Sequence, residues 1–123
     1  MKKLLRSTAL LLTLSLLITA CASHSTGPFN LALKSEARQN NKSLLFLKLG
    51  MTPDDVYKTM GTPNASEGYD WGVVWVYRTG MSHSVTFKGA LDENFTPVVF
   101  DKDGKLVGWG RQVYIQKNVM PEK

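Results

Sequence analysis

The stretch "LGMTPDDVYKTMGTP", residues 49–63, constrains the fold more than any other part of the chain. Thr52 suits a helix N-cap, Pro53 the first helical position, and Asp54 and Asp55 place negative charge where the helix macrodipole is positive. Thr52 and Asp55 approximate a capping box in which Asp replaces the usual Glu. Val56 and Met60 share a face with Tyr57 beside them, Gly61 suits a left-handed cap, and Pro63 blocks continuation. A helix bounded so closely spans only about two turns, too few to stand alone in water. It must lay Val56 and Met60 on another layer.

That layer is legible downstream. Trp71, Val73, Trp75 and Tyr77 alternate with Gly72, Val74, Val76 and Arg78, the period of a strand, and Thr79–Gly80 ends it. A weaker alternation, His83, Val85 and Phe87 against Ser82, Ser84 and Thr86, predicts a second strand. "GALDEN", residues 89–94, reads as a loop, and "FTPVVF" as a strand whose Pro97 belongs at an edge or a first ladder position. "DKDG" at 101–104 is a tight turn into a last strand over "KLVGWGRQVYI", with Val107, Trp109, Val113 and Ile115 on one face and Gly108 and Gly110 on the other, where something packs closely. "NASEGYD", 64–70, reads as a loop. Upstream, Leu33, Ala37, Leu44 and Leu47 predict a helix over 31–48 that "RQNNK" dilutes in the middle. The expected fold is α+β: two N-terminal helices on one face of a three- to four-stranded antiparallel meander. At 123 residues there is room for one domain.

The first residues, "MKKLLRSTALLLTLSLLITACAS", combine a basic start (Lys2, Lys3, Arg6) with an apolar run over 9–18, too short to span a bilayer and shaped like a secretory signal. "ITAC" resembles the lipobox of bacterial lipoproteins. By that resemblance the signal is cleaved between Ala20 and Cys21, and Cys21, the only cysteine, is acylated on its sulfur and its new amino group. Several acyl chains anchor a protein where a single myristoyl chain would not. The expected division is a signal peptide at 1–20, the lipidated cysteine and a flexible spacer at 21–30, the domain at 31–117 and a frayed tail at 118–123. Ala22 and Ser23, with no Asp after the cysteine, resemble sorting to the outer membrane. The expected location is a lipid-anchored, periplasm-facing one.

Cleavage changes the charge. Losing Lys2, Lys3 and Arg6 takes 15 basic residues to 12 against 10 acids, a net charge of +2. A nucleic-acid reading, which leans on a basic stripe, loses its support.

Candidates for chemistry thin out on inspection. Asp101 and Asp103 mimic the start of a calcium loop, but Leu106 and Gln112 stand where its glycine and glutamate belong. "GWG" at 108–110 lacks a third glycine at 113, and Gly104–Lys105 lacks the rest of a phosphate loop. His24 and His83 are too few for zinc. The acid pairs Asp54–Asp55 and Asp92–Glu93 diverge where glycosidase carboxylates would face each other. No catalytic, cofactor-binding or metal residue is expected, and the chain is read as a non-enzyme. The aromatic stripe has two readings. Trp71, Trp75 and Tyr77 form either part of the core, which a small domain without disulfides favours, or a platform for glycan, ligand or partner, with Trp71, Trp75 and Trp109 as the binding aromatics in that case.

"LKLGMTPDDVYKTMGTP" is similar to the signature of the BamE/SmpA/OmlA outer-membrane lipoproteins, on Leu47, Gly50, Met51, Thr52, Val56, Gly61 and Pro63. "WVYRTG" and "TPVVFDKDGKLVGWG" look like an uncharacterised proteobacterial branch of that superfamily. The resemblance spans roughly residues 44–115 and implies two helices on a three-stranded antiparallel sheet. It also implies an envelope adaptor or accessory acting through protein contacts, possible outer-membrane biogenesis included. The segment 80–94 departs from a BamE hairpin, and no BamE partner-contacting position can be matched. The alternative is a periplasm-facing module that binds cell-wall glycan or a small ligand through exposed aromatics.

Overall fold

A computed structural model describes residues 27–82 and 86–119. The elements are α1 (Pro28–Leu44), α2 (Pro53–Met60), β1 (Ala65–Tyr69), β2 (Gly72–Arg78), β3 (Phe95–Asp101), β4 (Leu106–Trp109) and α3 (Arg111–Val119). The strands form one antiparallel sheet in sequence order, a meander. The architecture is α+β, with a third helix added after the sheet.

Alternation along the two central strands builds a core on each face of the sheet. Tyr77, Val98 and Phe100 meet Leu47 and α2's Val56 and Met60 on one side. Val74, Val76 and Val99 meet Ala90 and Phe95 on the other, with Phe87, Val113 and Tyr114 packed alongside. Helices were expected on one face only. The second face is as apolar as the first and is covered by α3 and the 86–94 segment.

α1 starts at Pro28, inside the expected spacer, and ends at Leu44. Its buried residues are Ala37, Asn40 and Ser43. Asn40 Nδ2 donates to the Arg78 carbonyl and Asn41 Nδ2 to that of Thr79, both at 2.8 Å. The "NN" that weakened the apolar pattern is thus what docks the helix on the end of β2. Glu36 reinforces this, accepting from Asn64 Nδ2 at 2.6 Å and lying 3.9 Å from Arg78 Nε.

Three expectations are corrected. The 64–70 segment contains β1, whose five residues each face a β2 partner. Ladder pairing overrides the poor strand propensity of Ser66 and Gly68. The strand expected over 82–87 is absent among the described residues, since 82 and 86–87 lie outside any strand; 83–85, including His83, are not described. Phe87 instead packs edge-to-face on Phe95, centroids 5.2 Å apart. The last expected strand stops at Trp109. Gly110, at φ +96°, turns the chain into α3, which also takes in the first two residues of the expected tail. What packs against Gly108 is Val113 of that helix, so close that a Cβ on Gly108 would lie 2.9 Å from Val113 Cγ2.

Candidate functional site

The residues of the quoted signature hold structure. Thr52 Oγ1 accepts from the Asp55 N–H at 3.2 Å and the Asp55 carboxylate accepts from the Thr52 N–H at 3.1 Å, a complete capping box. The Thr52 N–H and the Thr52 hydroxyl, which donates to the same carboxylate at 2.9 Å, hold the Asp55 carboxyl below its ordinary range. Gly50, at φ +85°, donates to the Leu106 carbonyl, and Leu106 donates back to that of Met51, both at 2.8 Å. Val56 is fully buried. Gly61, at φ +77°, ends α2, its carbonyl accepts from Tyr77 Oη at 2.9 Å, and half-buried Pro63 follows. Asp92 likewise organises its own loop, accepting from the N–H groups of Lys88 and Asn94, which lowers its pKa.

The tryptophans are half-buried, and they divide. Trp75 and Trp109 pack against the first core and Trp71 against the second. Trp71 stands one residue before β2, in the turn, and so leaves the stripe it was expected to share.

Two turns come together at one end of the sheet, because Tyr69 pairs with Gly72 and Gly72 with Asp101. Gly72 is required there: a Cβ would run into the carbonyl oxygen of Phe100. In the 101–104 turn, Asp101 Oδ1 accepts from the N–H groups of Asp103 and Lys105 at 3.0 and 2.9 Å. On the α2 side of this end lies a groove of about 440 Å³ walled by Pro53, Val73, Trp75 and Phe100. On the α3 side lies a wider cavity of about 640 Å³, lined by Trp71, Val107, Asp70, Asp103 and Lys117. Asp101 and Lys102 border both. Trp71 stacks on Tyr69, 4.7 Å between centroids and 9° from parallel. Tyr69 is itself held: its hydroxyl donates to Glu67 Oε2 at 2.6 Å and lies 2.7 Å from Tyr114 Oη. Burial, then the bond to Glu67, push its phenol far up.

A second feature escaped the sequence reading. Leu45, Phe46 and Leu49 are 83, 67 and 70% exposed, while Leu47 between them is buried. Leu45, Phe46 and Leu47 each donate to a carbonyl three residues back, so the link between α1 and α2 is a structured turn. The signal was present: five of the six residues 44–49 are large and apolar, more than one face of a helix can bury.

Among the described residues no group of three or more His, Cys, Asp or Glu could hold a metal ion, and no helix is long and apolar enough to cross a membrane. Ala20, Cys21 and His24 lie outside the described residues, as His83 does. The chain matches no curated protein and no solved structure. A family model, "Protein of unknown function (DUF3192)", matches residues 18–116. That span runs from the cysteine region to α3, and the chain belongs to the DUF3192 family.

Proposed function

We propose that this protein is a non-enzymatic lipoprotein, anchored through acyl chains on Cys21 to the periplasmic side of the outer membrane, that serves as an envelope adaptor through protein contacts. The observation that carries the reading is the turn of Leu45, Phe46 and Leu49. Three large apolar side chains held in solvent by a structured turn mark a contact surface, since soluble domains seldom expose such groups together. Tyr57 of α2 is also half exposed. The lipobox-like "ITAC" supports the anchor, and the resemblance to BamE-like lipoproteins supports work in the envelope.

A photo-crosslinking residue at Phe46 in intact cells should give a discrete adduct, and the same residue at exposed Gln39 should not. Adducts at both sites, or at neither, would remove the adaptor reading. Cys21→Ser should leave the chain unprocessed or released from the membrane. Normal processing with unchanged outer-membrane fractionation would remove the anchor.

A further inference from the structure

We infer that the cavity over Trp71 is a saccharide site that takes a pyranose ring stacked on the indole. This goes beyond the adaptor reading and does not rest on it.

The platform comes first. One face of Trp71 lies flat on Tyr69, whose hydroxyl is fixed between Glu67 and Tyr114. The indole is therefore backed by a ring that is itself tied down, while Trp71 lines the wide cavity. Stacking on a ring already fixed in place costs little ordering entropy. A pyranose presents a face of C–H bonds that packs on an aromatic ring, and a rim of hydroxyls that both donate and accept.

The rim of the cavity fits the second requirement. Asp70, Asp101 and Asp103 supply acceptors from two turns, Lys102 supplies a donor from the second turn, and Lys117 of α3 completes the lining. Asp101 Oδ1 is committed to backbone N–H groups, so Asp70 and Asp103 carry most of the accepting. This mixture selects among ligand classes. A phosphate would meet three carboxylates. A neutral polyol carries no charge to be repelled, and its hydroxyls, as donors and acceptors at once, can pair with carboxylate and ammonium alike. The volume, about 640 Å³, lies within the range of small-ligand sites, roughly 300–1,000 Å³, and is ample for a short oligosaccharide. The groove across the sheet end is more apolar: Pro53, Val73, Trp75 and Phe100 wall it, and its charged groups are Asp101 and Lys102, which it shares with the cavity.

The chain has three tryptophans, so each indole N–H gives its own NMR signal in the full-length protein in detergent. Titration with the N-acetylglucosamine trimer or with cellotriose should shift the Trp71 signal saturably. Trp71→Ala should weaken binding by up to about tenfold, as loss of an aromatic contact does. Should that variant fail to fold, Asp103→Ala, in an exposed turn, should still weaken it severalfold. The inference is overturned if neither sugar moves the Trp71 signal, if only the Trp75 or Trp109 signal moves, if choline or inorganic phosphate binds in place of the sugars, or if Asp103→Ala binds as the parent does.

Discussion

Thr52 and Asp55 illustrate how much a single pair of side chains settles locally. Each satisfies a backbone N–H that a helix start otherwise leaves without a partner. Thr52→Ala should cost about 1 kcal/mol, read as a lower thermal midpoint; an unchanged midpoint would mean that the cap contributes nothing. The same pair gives a pH dependence. Asp55 and Asp92 have carboxyls held below the ordinary value of 3.8. Depressed acids stabilise the fold above the unfolded pKa, and that contribution is lost as pH falls through the folded one. The thermal midpoint should therefore fall as pH drops below about 4, and Asp55→Asn should flatten that limb. At the alkaline end, burial pushes Tyr77 up to about 12. Its contribution is complete below pH 10 and lost as pH rises towards that value.

At the scale of elements, the sheet shows what local pattern can and cannot carry. β2 and β3 were legible because their runs are apolar and bounded by turn residues. β1 was not, because Ser66, Glu67 and Gly68 carry no strand preference and are ordered by the ladder to β2. α3 was misread for the opposite reason. Val113 and Ile115 alternate as a strand would, yet Gly110 at φ +96° breaks the strand and sets Val113 and Tyr114 against the second core. Gly110→Val should therefore cost about 1–2 kcal/mol, since a β-branched residue resists that backbone. Equal stability of variant and parent would show that the turn into α3 does not need glycine.

For the whole molecule, the two cores share the central strands, so neither can melt alone. Phe100→Ala, in the first core, should destabilise the protein by about 3–5 kcal/mol. Trp71 in the second core and Trp75 in the first should still report a single transition. Two separate transitions would break that account.

By itself the sequence determined what depends on neighbours along the chain: the capped α2, the turn at 101–104 and the central strands. Caps, turns and alternation act within a few residues, so they can be read there. Only the tertiary structure decided the rest. It made β1 a strand, gave the second face of the sheet to α3, and turned the asparagines of α1 into its docking contacts. It also separated Trp71 from Trp75, put Trp71 on Tyr69 beside the 101–104 turn, and left Leu45, Phe46 and Leu49 in solvent. Each of these outcomes depends on which groups far apart in the chain come to lie next to each other, and that proximity is not written in any local pattern.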